Sequence, residues 1–255
     1  MGTIRILGSG TSTGVPEIGC TCPVCTSSDP RDNRLRASAL VHTEDSVILI
    51  DCGPDFREQM LRAAVFEKLD GVLITHEHYD HVGGLDDLRP FGRFADIPVY
   101  SDAYTAAHLR ARMPYCFVDK IYPGIPRIYL EEVEAGKPFF INRTEILPLQ
   151  VMHGKLPILG YRISKQLGYV TDMRTMPEES YRLLEGVDVL VINALRPDPH
   201  PTHQSISEAL AVAERIGARE TYLIHMSHHA GLHADTEKQL PSGVRFAFDG
   251  LEIAF

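Results

Sequence analysis

Hydrophobic positions in this chain come in short runs, and most runs stop at a carboxylate, a histidine or a glycine. Thr3 to Leu7 alternates and predicts a first strand, followed by the small-residue loop Gly8-Ser9-Gly10-Thr11-Ser12-Thr13-Gly14. Ser38 to His42 and Ser46 to Ile50 predict an antiparallel hairpin joined at Thr43-Glu44-Asp45 and delivering Asp51-Cys52-Gly53-Pro54. Gly71-Val72-Leu73-Ile74 predicts a buried strand. Further strands are predicted over Ile97 to Tyr100, Phe139 to Val151, Val187 to Ile192, Thr221 to Ile224 and Val244 to Phe248, and a second hairpin over Leu159 to Ser164 and Leu167 to Thr171. Helical spacing falls between them. Pro54 to Phe66 places Phe56, Met60, Leu61 and Val65 on one face, and Leu85 to Phe94 is a second helical stretch. Ser101-Asp102 caps a helix through Met113, Ser205-Ile206-Ser207-Glu208 reads as a capping box for a helix through Ile216, and Asp235 to Leu240 is a short helix. The Pro- and Gly-rich region from Tyr115 to Lys137 predicts a linker between halves. Strand pair, strand and helix occur in the same order in each half, which predicts an α/β fold of two packed sheets with helices outside.

At 255 residues and 44% apolar the chain can bury one full core, so residues 1–255 are expected to form one domain. A formal net charge of −9 argues against a general nucleic-acid binder, which shows a basic face or arm. It does not exclude an anionic substrate at a site where divalent ions outweigh their carboxylate ligands. The start, Met1-Gly2-Thr3-Ile4-Arg5-Ile6, has no charged leader with an apolar core, and no segment approaches the ~20 apolar residues of a membrane span. Five cysteines without a secretory signal predict reduced thiols and a cytoplasmic setting.

The chemistry is concentrated in Thr75-His76-Glu77-His78-Tyr79-Asp80-His81, directly after a predicted strand. In extended chain His76 and His78 share a side and can grip one metal ion, while Asp80 and His81 are offset far enough to hold a second. Imidazole and carboxylate suit zinc, manganese or iron. Glu77 and Tyr79 are expected to point away, and Gly83-Gly84 to supply unusual torsions for a backbone wrapped around metals. Histidines or carboxylates close other predicted strands: Asp51, His153, Asp172 and His225. Asp51 reads best as a residue that holds the ligand loop by hydrogen bonds. Cys20, Cys22 and Cys25 lie within six residues, a spacing that in a reducing setting points to structural zinc with a fourth ligand from elsewhere. Cys52 and Cys116 read as buried small hydrophobes. Arg89, Arg93, Arg110 and Arg112 read as solvated charges, and His42, His108, His229 and His233 as surface or supporting residues.

The order His-x-His-x-Asp-His followed by a lone His, a lone Asp and a last His resembles the metallo-β-lactamase superfamily. That resemblance implies an αββα sandwich of two mixed sheets, with two divalent ions at one edge. It implies that His76, His78 and His153 hold the first ion, Asp80, His81 and His225 the second, and that Asp172 bridges them. Cys20, Cys22 and Cys25, with His228 three residues beyond the last ligand, and His203 before a late helix are similar to the PhnP family of phosphoribosyl cyclic phosphate phosphodiesterases. Leu240-Pro241-Ser242-Gly243 and Phe248-Asp249-Gly250-Leu251-Glu252-Ile253 are similar too. The resemblance implies a structural zinc on Cys20, Cys22, Cys25 and His228, a small cyclic phosphodiester as substrate, a shared hydroxide as nucleophile, and a homodimer. Candidate catalytic residues are His203, as general acid with His200 as its decoy, and Asp80. Asn193-Ala194-Leu195 departs from the stretch expected after its strand.

Three rivals share parts of the pattern. A tRNA 3′-processing nuclease shares the ligands but normally grips tRNA with a basic arm, which the acidic balance disfavours. A glyoxalase-type thiolesterase needs a longer chain for its helical cap. A non-catalytic binding or carrier protein of the PqqB type shares the cysteine loop, and the complete ligand set argues against it.

Overall fold

The computed structural model describes residues 2–117 and 124–255. The chain begins with β1 (Thr3–Gly8), β2 (Ser38–His42) and β3 (Val47–Ile50), then α1 (Phe56–Ala63), β4 (Gly71–Leu73) and the short α2 (Tyr79–Val82). A 3₁₀ segment (Leu85–Arg93), β5 (Ile97–Ser101), α3 (Ala103–Arg112) and β6 (Ile128–Glu132) complete the first half. The second half runs β7 (Phe139–Ile141), β8 (Thr144–His153), β9 (Leu156–Ile163), β10 (Leu167–Val170), α4 (Glu178–Leu184), β11 (Val189–Asn193), α5 (Ile206–Ile216) and β12 (Glu220–Ile224). It ends with α6 (His233–Thr236), β13 (Val244–Phe246) and β14 (Glu252–Ala254).

Among the described residues the strands form two seven-stranded mixed sheets, ordered β14-β1-β2-β3-β4-β5-β6 and β13-β12-β11-β10-β9-β8-β7. Alternation along the strands explains why they stack. Ile4, Ile6, Val41, Ile48, Ile50 and Leu73 of the first sheet meet Ile146, Tyr161, Ile163, Tyr169, Val191 and Ile224 of the second in one buried layer. The opposite faces take helices: Leu40, Leu49 and Val72 pack under Phe56, Leu88 and Leu109, while Leu149, Leu190 and Ile192 pack under Leu184, Val212 and Ile216. The expected α/β class and αββα sandwich are therefore observed. No helix among the described residues is long and apolar enough to cross a membrane.

Several boundaries differ from the pattern reading, each for a local reason. Phe139 to Val151 is two strands, because Asn142 takes a left-handed turn (φ 51°) and reverses the chain. The predicted linker contains β6, an edge strand paired in parallel with β5. Its residues 118–123 lie outside the described residues. Helix α1 stops at Ala64 in the left-handed conformation, short of Val65 and Phe66, and Leu61 faces solvent at 61% exposure rather than the core. Leu85–Arg93 is 3₁₀ and carries Pro90, which cannot donate to an α-helical ladder. The predicted 235–240 helix is α6 with a 3₁₀ turn at Glu237–Gln239. Strand β14, which pairs antiparallel with β1, was not predicted.

Ser205 forms the capping box with Glu208 as the sequence implies. Replacing Ser205 with Ala removes a side-chain acceptor for the Glu208 N–H and is expected to cost about 1 kcal/mol. A denaturant midpoint identical to that of the parent protein would contradict this.

Candidate metal centre

The site lies at the edge where β3, β4, β8, β10 and β12 end. Three of these strands close on a non-glycine residue in the left-handed conformation: Asp51 (φ 57°), Asp172 (φ 55°) and His225 (φ 58°). Such residues are held there only where their surroundings enforce it, and they cluster at functional sites. After β4 the chain bends at Glu77, is extended at His78, whose ψ is 146°, and then turns into α2, which swings Asp80 and His81 back toward the site. Gly53 and Gly84 permit this turn by close approach rather than by torsion. A Cβ on Gly53 would strike the Asp80 carbonyl, and one on Gly84 the Gly53 carbonyl. Gly83 has ordinary φ and packs beneath the Tyr79 ring.

The imidazoles are oriented from behind. His81 Nδ1–H donates to Asp51 Oδ2 at 2.7 Å. His76 Nδ1–H donates to Thr75 Oγ1 at 3.0 Å, and that hydroxyl donates onward to Asp51 Oδ2 at 2.9 Å. His153 Nδ1–H donates to the carbonyls of Asp172 and Thr202 at 2.8 and 3.1 Å. Because Nδ1 carries the proton in each neutral ring, Nε2 presents its lone pair to the interior.

Two main sets of potential ligand atoms converge there, and His153, Asp172 and His203 form a third that overlaps both. His76, His78 and His153 form one, and Asp80, His81, Asp172 and His225 the other, with all atoms of a set within 4.8 Å of one another. Asp172 faces two ways: Oδ2 lies 3.2 Å from His81 Nε2 and Oδ1 lies 3.1 Å from His225 Nε2. Asp80 Oδ2 is 3.2 Å from His81 Nε2. His76 Nε2, His81 Nε2 and His225 Nε2 are buried without a hydrogen-bond partner. Neutral nitrogens with inward lone pairs, beside carboxylates, are a donor set that divalent zinc or manganese fits.

The electrostatics point the same way. Burial opposes charge on His81, yet Asp172, Asp51 and Asp80 hold its pKa well above the ordinary histidine value, so its Nε2 position draws positive charge. Burial and neighbouring His81 push His76 well below it. Burial would raise Asp172, but His225 and His81 keep it ionised, well below the usual carboxylate range.

His203 sits on the loop that follows β11. Its ring is 4.7 Å from that of His153 and 4.8 Å from that of His225, and its Nδ1 is 3.8 Å from Asp172 Oδ1. Burial, then His225, push its pKa down to about 3. His200 is farther out, 5.1 Å from His203 between ring centres, with Nδ1 facing Thr202.

Apart from this edge, Cys20, Cys22 and Cys25 gather around His228, with their sulfurs 3.1, 3.6 and 3.3 Å from its Nδ1. The Cys25 N–H donates to Cys22 Sγ and brings that thiol down to about 6. Cys52 and Cys116 are buried, as read from sequence. Other roles were missed. Arg112, read as a solvated charge, donates to the Glu77 carbonyl at 2.7 Å and so ties α3 to the histidine loop. Glu77 is buried and Tyr79 exposed. Buried His233 meets buried Arg34, 3.2 Å away. The Thr75 hydroxyl's link between His76 and Asp51 was missed as well, although a hydroxyl just past a predicted strand was a signal for it.

A family model of the beta-lactamase superfamily domain matches residues 46–226. A solved structure described as a new diphosphatase from the PhnP family superposes with a TM-score of 0.91 at 40% identity, over 99% of this chain and 96% of that one. The chain belongs to the PhnP family of the metallo-β-lactamase superfamily. An octanoyltransferase of Porphyromonas gingivalis is 46% identical over 249 residues, 97% of this chain and 50% of that protein. The chain therefore spans half the length of that relative. Zinc-bound PqqB from Methylobacterium extorquens shares the PhnP-family fold at 19% identity, with a TM-score of 0.80 over 99% of this chain and all of that one.

Replacing Asp51 with Ala strips buried Thr75 and His81 of their common acceptor, at about 1–3 kcal/mol for each donor left unpaired. The metal-free variant should unfold at distinctly lower denaturant than the parent. An unchanged midpoint would show that Asp51 does not hold the loop.

Proposed function

We propose that this PhnP-family hydrolase is a dinuclear metal-dependent phosphodiesterase acting on small phosphodiesters, with a cyclic ribosyl phosphate as the favoured substrate type. The reading rests on one observation above others: two adjacent sets of inward-facing donors, with Asp172 set between His81 and His225 of the second and also gathered with His153 of the first. In it His76, His78 and His153 hold one ion, Asp80, His81 and His225 the other, and Asp172 both. Two such ions supply Lewis acidity to phosphoryl oxygens and lower the pKa of water from 15.7 toward ~7. The relative described as a diphosphatase supports a phosphorus–oxygen bond as the target, and a disubstituted diphosphate is the related substrate to compare. Octanoyl transfer is not carried over, since the match covers half of the relative that bears that name.

The protein's own groups do the remaining work. Asp51 and the Thr75 hydroxyl keep the His81 and His76 rings aimed inward. His203, beside Asp172, supplies the proton that the leaving alkoxide needs, and the negative charge of a phosphodiester next to its ring favours the protonated form. Cys20, Cys22, Cys25 and His228 hold a structural zinc. That centre braces the loop before β2 against the segment after His225, where Thr11 N–H also donates to the Met226 carbonyl at 3.0 Å.

The manganese-loaded protein should be assayed side by side on bis(p-nitrophenyl) phosphate, p-nitrophenyl phosphate, a ribosyl cyclic phosphate and a disubstituted diphosphate. Cleavage of the diesters but not the monoester, lost in Asp172→Ala, is the expected result. No turnover with tight binding of a small cofactor would favour a binding protein instead. His203→Ala should lose ~10²–10⁴ in rate on the ribosyl substrate and far less on p-nitrophenyl esters, whose leaving group needs no acid. Equal losses on both would remove His203 from the acid role.

For the cysteine centre, protein stripped of its active-site ions should retain one zinc per chain, and Cys20→Ser should retain none. Zinc-free wild type after that stripping would refute the structural site.

A further inference from the structure

Asn193 ends β11 at the position where the sequence departs from the family pattern, and it is fully buried. Its amide closes a two-bond clamp on one residue. Asn193 Oδ1 accepts the Met173 N–H at 2.8 Å, and Asn193 Nδ2 donates to the Met173 carbonyl at 3.0 Å. A primary amide offers a donor and an acceptor on two separate atoms at one tip, and neither a carboxylate nor an aliphatic side chain of that size can make both bonds. The Met173 carbonyl also accepts the Gln204 N–H at 3.1 Å. Gln204 adjoins His203, and its own carbonyl accepts the Leu195 N–H at 3.0 Å. Met173 adjoins Asp172, whose left-handed backbone needs enforcement.

We infer that Asn193 is a positioning residue which, through the backbone of Met173, sets the spacing between the Asp172 carboxylate and His203. This rests on the two-ion reading given above. The two groups it would align lie 3.8 Å apart, and His203 Nδ1 is buried with no hydrogen bond of its own. Direct contact between the two side chains therefore does not fix that spacing, although the His153 ring ties the Asp172 carbonyl to that of Thr202 beside His203. The backbone link between them is the Gln204 N–H bond to the Met173 carbonyl, and the two Asn193 bonds hold that same residue against the end of β11. Loss of the clamp frees the Asp172 turn and the His203 loop together. Ion binding and proton donation should then fail in step.

The test compares Asn193→Asp and Asn193→Ser with the parent and with Val191→Ala. Val191 lies on the same strand, buried in the layer between the sheets, and its truncation weakens the fold without removing the clamp. Asn193→Asp keeps the shape but sets an oxygen against the Met173 carbonyl, and Asn193→Ser gives a milder loss should the first variant fold poorly. Circular dichroism confirms folding, manganese titration measures binding of the second ion, and the rate ratio between the ribosyl cyclic phosphate and bis(p-nitrophenyl) phosphate reports on the acid. Both Asn193 variants should bind the second ion ~10–100-fold more weakly, as for other outer-sphere losses. Their rate ratio should also fall at least threefold. Val191→Ala should melt earlier with both readouts unchanged. Folded Asn193 variants with wild-type second-ion affinity and wild-type ratio overturn the inference. Wild-type protein that takes only one ion at this edge overturns the two-ion reading, and the inference with it.

Discussion

Holding the ionised carboxylate of Asp172 among His81, His225 and His203, almost out of contact with water, is the constraint on which the rest of the site depends. A buried carboxylate is tolerable only where positive charge or hydrogen bonds compensate it. Here the compensation comes from imidazoles, and the outer nitrogens of His81, His76 and His153 are already committed to Asp51, Thr75 and backbone carbonyls. The inner nitrogens of His81 and His225 face the oxygens of Asp172 and Asp80, and the carboxylates around His81 draw positive charge to that position. A protein that gathered these groups without an ion to share them would bury unpaired acceptors against one another. The same geometry becomes favourable when cations occupy it, which is why donor orientation carries more weight here than the number of histidines.

The sandwich makes this arrangement by ending its strands at a common edge. The two sheets contribute different partners: β3 and β4 bring Asp51 and the histidine loop from the first, and β8, β10 and β12 bring His153, Asp172 and His225 from the second. Apolar contacts between the sheets, from Ile48 and Ile50 across to Tyr161 and Tyr169, thus fix distances between residues far apart in sequence. The cysteine cluster lies apart from this edge, on the segment after His225, while the Asn193 clamp sits directly behind Asp172.

Sequence patterns pointed to the candidate ligand residues because strand ends are abrupt. An aliphatic run followed by a histidine or aspartate marks both the strand and the side chain it delivers, and His76, His153, Asp172 and His225 were all legible in that way. The cysteine loop was legible from spacing, although its partner His228, over 200 residues away, came only through family resemblance. What escaped were roles set by tertiary approach. The contact of Arg112 with the Glu77 carbonyl depends on where α3 lies. The need for glycine at positions 53 and 84 depends on the distance between two loops, which torsional preference does not encode. Strand β6 was hidden in a Pro-rich stretch because an edge strand with exposed Tyr129 and Glu131 lacks the apolar run that marks a central one. Leu61 misled because helical spacing identifies a face without showing how far the sheet beneath extends.

The most direct measurement of the central claim is the electron paramagnetic resonance spectrum of protein reconstituted with manganese, read together with metal content. Two manganese ions per chain giving an exchange-coupled signal, which collapses to an uncoupled one in Asp172→Ala, is the predicted result. A saturated wild-type protein showing a single uncoupled ion would contradict the shared-carboxylate centre and the mechanism built on it.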